Sequence, residues 1–461
     1  MHYEKHADGT VKCIEDEIPF EVPEGWEWTR VFSIADDLPY GTAKKSEKEG
    51  RIAVLRMGNI QAGEIDYDDL VFSSDEEDME RYLLSPGDLL FNRTNSAEWV
   101  GKTAIYRGDI PCIYAGYLIR LRTHINAEYL NAVMNSGYAK EYCALVKTDG
   151  VNQSNINAQK LGAFLVPVPS LKEQKRLASW ISTALPNVET IQQCQAEISD
   201  LVTTAKAHIL DLAIRGQLVP QNPDDEPAAV LLERIRTEKE NLIHQGKIKR
   251  DKRESTIFRG DDNSYYERVG TDIVDITEEL PFPIPETWCW ARMTTLFEIN
   301  SRNKLDDSLE VSFIPMPLIE DGYSGNHGSE KRKWSEVKTG FTHFAEGDIG
   351  IAKITPCFEN RKSVVFQNLT NGFGAGTTEL HVLRPYGKLI LPEYALALVK
   401  TKAFIEDGKQ EFTGAVGQQR IGKDFISEYL FPIPPYQEQI RIVNTIEQIF
   451  HIISVIEQSI G

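Results

Sequence analysis

A chain of 461 residues is too long for one ordinary core, so two or three domains are expected. Its 41% hydrophobic and 26% charged residues are those of a globular protein, and no run approaches the roughly 18 apolar residues of a membrane span. A net charge of −19 argues against a simple polyanion-coating protein, and six scattered cysteines without a Cys-x-x-Cys pair do not suggest disulfides and fit a reducing cytoplasm.

In chain order, residues 1–16 are polar and do not read as a signal peptide. Alternating apolar stretches bounded by Gly, Asp and Asn predict short strands over 51–57, 88–92, 102–106 and 117–122, and helices over 128–135 and 138–145. Charge is segregated: the first hundred residues are acidic, with the run Asp75-Glu76-Glu77-Asp78, whereas 101–169 carry a basic excess. After Phe164-Leu165-Val166-Pro167-Val168-Pro169 a long helix begins, its apolar positions stepping by four and three: Leu177, Ile181, Ala184, Val188, Ile191, Ile198, Val202. Pro186 lies inside it and predicts a kink. Gly216 and three prolines then open a spacer with one short helix over 228–243, after which the Lys/Arg cluster at 247–253 and the polar tract to Ser264 are expected to form an exposed linker.

From there the landmarks recur. Pro19-Phe20-Glu21-Val22-Pro23-Glu24-Gly25-Trp26-Glu27-Trp28 returns as Pro281-Phe282-Pro283-Ile284-Pro285-Glu286-Thr287-Trp288-Cys289-Trp290, with Arg30 and Arg292 two residues on. Gly87-Asp88 matches Gly347-Asp348, and the Pro-x-Pro of 167–169 matches 432–434, each followed by Glu-Gln at 173–174 and 438–439. One order of landmarks repeated over so long a stretch means two diverged copies of one module. The second copy also ends in a helix, with Ile442, Ile446, Ile449, Ile453 and Ile456 on a narrow seam. Two seams of this 3.5-residue period predict an antiparallel coiled coil through Leu177, Ile181, Val188, Ile191 and Ile198 on one side and the isoleucines on the other. The expected class is α+β: two similar mixed α/β modules separated by long helices. The boundaries are 1–169, first module; 170–214, first helix; 215–270, spacer; 271–434, second module; 435–461, second helix.

This pattern resembles the specificity (S) subunits of Type I restriction–modification systems. Three features carry the resemblance: Pro-x-Gly-Trp-x-Trp at 23–28, with Thr287 in place of the glycine in the second copy; the Pro-x-Pro…Glu-Gln start of each helix; and the spacer Arg215-Gly216-Gln217-Leu218-Val219-Pro220-Gln221-Asn222-Pro223. It implies a non-catalytic reader of split DNA targets, one recognition domain per half-site, with the helices as ruler and half-sites about 34 Å apart. It also implies methyltransferase (M) subunits, which use S-adenosylmethionine, docked on the helices, and restriction (R) subunits that use ATP and magnesium for cleavage. No cofactor, metal or catalytic residue is expected in this chain.

The residues agree with a chain that lacks its own chemistry. Asn222-Pro223-Asp224-Asp225 is not an adenine-methyltransferase motif, and Gly417-x4-Gly422-Lys423 is followed by Asp424 where a P-loop needs Ser or Thr. Asp348 reads as a turn residue before a strand rather than half of a nuclease pair, and the tryptophans read as packing. Direct readout of base edges needs polar or basic side chains on loops. In the first module these are Asn92, Arg93, Thr94, Asn95 and Ser96, then Gln153 and Asn155; in the second, Lys353, Thr355, Arg361 and Lys362, then Gln418, Gln419 and Arg420.

Overall fold

The structure, a computed structural model, describes residues 1–6, 8–95, 99–149, 154–250, 254–415 and 417–460. It forms two compact units, Met1–Gln192 and Gln193–Gly461. In the first unit, Glu27–Arg30 pairs antiparallel with Leu165–Val168, Trp28 opposite Pro167. Both belong to a two-stranded sheet, where each strand has a free edge and a proline costs no ladder bond. The beginning and end of the module are thereby tied together.

Between them lies a five-stranded sheet in the order Leu118–Leu121, Leu89–Asn92, Thr103–Ile105, Glu64–Ile65, Ile60–Gln61. A three-stranded sheet sets Ile52–Leu55 between Cys112–Tyr114 and Val71–Ser73. All four predicted strands are present, each within a residue or two of its expected bounds. The helices fall at Ala127–Met134 and Gly137–Val146, capped by Asn126, which accepts from the Tyr129 N–H, and Ser136, which accepts from the Ala139 N–H. Leu89, Phe91, Ile119, Leu130, Phe164 and Val166 fill the core beneath them.

The second unit repeats the plan. Cys289–Arg292 pairs with Leu430–Ile433, Trp290 opposite Pro432, in the same register. Four-stranded sheets follow: Phe297–Ile299, Leu380–Pro385, Ile349–Ala352, Ser363–Val365; and Glu330–Lys333, Glu310–Ile314, Phe373–Gly376, Thr342–Ala345. Buried polar fastenings are duplicated as well. Asp88 holds Arg122 and the Ser85 N–H, as Asp348 holds Arg384 and the Ala345 N–H. The Tyr129 hydroxyl donates to the Pro167 carbonyl, and that of Tyr394 to Pro432. Asp348 is therefore a structural ion-pair partner, and burial pushes its carboxyl upward against the opposing pull of Arg384.

The duplication starts earlier than its first sequence landmark. Arg30 binds Glu4, Glu17 and the Ala163 carbonyl; Arg292 binds Glu267, Glu279 and the Glu428 carbonyl. Each arginine thus clamps an upstream hairpin to the closing strand: Tyr3–Lys5 with Val11–Cys13 in one unit, Tyr265–Val269 with Asp272–Asp275 in the other. The spacer's expected helix is present, but the tract to Ser264 is not the simple exposed linker expected. Helix Ala228–His244 buries Leu231, Leu232 and Ile235 in the second unit's core, and Ser255–Arg259 joins the sheet of that hairpin. Of the Lys/Arg cluster, residues 251–253 lie outside the described residues.

Helix Leu171–Ile214 runs 44 residues and is not divided by Pro186. From Ile198 onward its seam is covered: Val202, Ile209, Leu210 and Ile214 pack in one cluster with Ile442, Val443, Ile446, Ile449 and Ile453 of helix Tyr436–Ile460. The pairing is antiparallel, since Lys206 binds Glu457 at 2.8 Å while Leu210 lies beside Val443, Ile446 and Phe450. The expected seam is not closed along its whole length. Val188 is 48% and Ile191 58% exposed, Ile456 44%, and Leu177 and Ile181 are half-buried. The reason is length: the second helix has 25 residues and spans only the later part of the first.

Candidate nucleic-acid interface

The two polar loops of each module are brought together. In the first, Thr94–Asn95 pairs with Ser154–Asn155, which pairs in turn with Thr148–Asp149. The Ile156 N–H donates to the Arg93 carbonyl at 2.9 Å, locking the crossing. The Arg93 guanidinium lies over the Tyr40 ring, 4.7 Å from its centroid, and donates weakly to the Gly116 carbonyl. The Tyr40 hydroxyl accepts from the Ala158 N–H, so the ring under Arg93 is itself held. Thr94 and Asn155 are half-buried at the crossing. Asn92 is different: fully buried, it donates to the Trp99 carbonyl and braces the loop from beneath, out of reach of a ligand. Ser96 and Gln153 lie outside the described residues, as does the Asn95 side chain.

The second module makes the same crossing. Ile354 bridges to Arg420, the Thr355 N–H donates to the Gln419 carbonyl, and the Ile421 N–H donates to the Lys353 carbonyl at 3.0 Å. Lys353 and Gln419 are half-buried there, Gln418 is exposed, and Thr355 is buried with no partner for its hydroxyl among the described residues. Arg420 donates through Nε and Nη2 to Glu379, at 2.9 and 3.0 Å, and through Nη1 to the Gln418 carbonyl at 2.7 Å. Those bonds hold the Glu379 carboxyl below the usual range.

Arg361 and Lys362 do not join this crossing. The chain reverses at Arg361, whose φ of 57° is left-handed, and each of the two side chains donates one bond to a carbonyl outside the crossing. Arg361 donates to Lys400 and Lys362 to Ile319. Next to them Lys400 is buried, donating to the Gly322 and Arg361 carbonyls, and burial drives its ammonium down to about 7.

Sequence reasoning missed Glu379 and Tyr40. Glu379 is recoverable from the repeat: its carbonyl accepts from the Lys353 N–H as Tyr117 accepts from Arg93, so the two residues occupy one position just before a strand, Leu380–Pro385 in one module and Leu118–Leu121 in the other. Tyr40 lies in an irregular segment with no pattern to mark it. No cluster of His, Cys, Asp and Glu among the described residues suits a metal ion, and no described helix is long and apolar enough to cross a membrane.

Residues 285–460 match the family described as the Type I restriction modification DNA specificity domain. The chain is 45% identical over 251 residues to the Type I restriction enzyme EcoAI specificity subunit of Escherichia coli, covering 54% of this chain and 40% of that protein. It is 44% identical over 252 residues to the EcoEI specificity subunit of the same organism, covering 54% and 39%. It thus spans well under half the length of these curated relatives. A solved chain from work on complex assembly and conformational transition of the type I R-M system aligns over 96% of this chain and 94% of its own. Its TM-score is 0.53 at 15% identity, a likeness of fold alone. The resemblance to Type I specificity subunits read from the motifs is therefore found again by direct comparison.

Proposed function

We propose that the chain is the DNA sequence-specificity subunit of a Type I restriction–modification complex, each module reading one half of a bipartite duplex target. The observation that carries this reading is the duplicated crossing of two polar loops, Arg93 with Asn155 and Lys353 with Arg420, in two copies of one scaffold. Polar and basic side chains on a rigid sheet edge are what base-edge readout needs. The subunit is non-catalytic and works in the cytoplasm. M subunits dock on the helices and bring S-adenosylmethionine; R subunits bring ATP, magnesium and cleavage. These partners also supply phosphate-neutralising charge that a chain of net charge −19 lacks.

The test is methylome sequencing of cells carrying an adenine methyltransferase of this class with and without the chain. Methylation of one split motif only when the chain is present is the expected result. Absence of any chain-dependent motif refutes the proposal. Stoichiometric S-adenosylmethionine binding by the isolated chain would refute its non-catalytic part.

A further inference from the structure

The two crossings can be superposed residue by residue through their backbone hydrogen bonds. Arg93 and Lys353 each accept from an isoleucine N–H, Ile156 and Ile421 respectively. One residue earlier, Asn155 pairs with Thr94, and Arg420 with Ile354. Asn155 and Arg420 are therefore the same position of the module, filled by two side chains of different chemistry. So are Tyr117 and Glu379, whose carbonyls accept from the Arg93 and Lys353 N–H groups. The carboxylate is present where the arginine is, and absent where the asparagine is.

The state of Arg420 gives the difference a meaning. A guanidinium has five N–H donors. Three are engaged: Nε and one on Nη2 by Glu379, and one on Nη1 by the Gln418 carbonyl. Among the described residues one donor on Nη1 and one on Nη2 remain, on a half-exposed side chain that can turn them to a ligand as a fork. Two parallel donors match the O6 and N7 acceptors of guanine in the major groove, and the carboxylate behind them fixes the plane of the fork. An amide presents one donor and one acceptor, which match N7 and N6 of adenine. The Asn155 side chain is half-exposed at the matching place.

Resting on the DNA-reading function proposed above, we propose that Arg420 and Asn155 are equivalent base-reading residues of the two modules. Arg420 takes a guanine and Asn155 an adenine, with Glu379 as the positioning residue for the Arg420 fork. The two half-sites then differ at this position because the two copies diverged there.

The experiment is selection from a duplex library randomised across a split site, using the full chain co-purified with its methyltransferase subunits. Arg420→Ala removes a guanine preference at one position of one half-site, weakening discrimination there roughly 5- to 150-fold. The other half-site is unchanged. Asn155→Ala erases an adenine preference in the opposite half. Glu379→Gln loosens the same guanine position as Arg420→Ala while the remaining positions of that half keep their preferences, and Glu379→Asp partly restores it. A merely structural carboxylate would instead weaken all positions of the half together. Unchanged base preferences in Arg420→Ala, or a uniform loss for every sequence with a shallower salt dependence, overturn the assignment. A wild-type complex that enriches no motif overturns the DNA-reading function itself, a distinct result.

Discussion

Gln439 sits at the start of the C-terminal helix, fully buried, and its amide closes two backbone groups at once. Its Oε1 accepts from the Leu391 N–H at 2.9 Å, at the cap of helix Pro392–Val399, and its Nε2 donates to the Pro434 carbonyl at 3.2 Å. Gln174 does the same in the first unit, with the Asn126 N–H and the Pro169 carbonyl. Gln439→Ala leaves two buried backbone groups unpaired, each costing about 1–3 kcal/mol. Water entering the vacated space lowers the sum, so the second unit should lose about 2–4 kcal/mol. Gln439→Glu keeps an acceptor for Leu391 but faces the Pro434 carbonyl with a charge, and should cost at least as much. Hydrogen exchange on the intact chain reads this locally: amides of Pro392–Val399 exchange faster in Gln439→Ala while those of Ala127–Met134 do not, and Gln174→Ala gives the mirror image. Unaltered exchange in both helices, or acceleration of both by either variant, would refute the account of paired, independent fastenings.

Arg93→Ala should weaken binding at one half-site by about 1–3 kcal/mol and spare the other, measured by gel shift against duplexes with each half scrambled in turn. In the coil, Ile446→Ala should cost about 2–5 kcal/mol in urea unfolding, because Ile446 is buried, whereas Ile191→Ala on the exposed stretch should stay within about 0.5 kcal/mol. Lys400 should give the second unit a distinctive pH dependence. Its folded value of about 7 lies below that of the unfolded chain, so between the two the unfolded state holds the extra proton and stability rises with pH. From pH 7 to 9.5 the rise should be on the order of a few kcal/mol, at about 1.4 kcal/mol per pKa unit, and Lys400→Met should flatten it in urea titrations at the two pH values.

Duplication, strand positions and helix positions were legible in the residues, because they rest on local rules. Short apolar stretches bounded by Gly, Asp and Asn marked Leu89–Asn92 and Leu118–Leu121, a 3.5-residue seam marked both long helices, and Pro-x-Pro marked where strand gives way to helix. The polar loops were also identifiable by composition. Their meeting was not, since Thr94 and Asn155 are 61 residues apart and join only through a register that the whole module sets. Tertiary packing likewise decided where the loop cations go: Arg420 is half-exposed on a Glu379 brace, while Arg361 and Lys362 turn to the carbonyls of Lys400 and Ile319, far off in the sequence. It made a third strand of Ser255–Arg259 beside the hairpin clamped by Arg292, and it buried the predicted helix of the spacer through Leu231 and Ile235. It also decided how much of the seam is covered, a matter of which helix lies opposite. Local pattern reports what a segment can become; contacts distant in sequence, each worth a few kcal/mol, choose among those states.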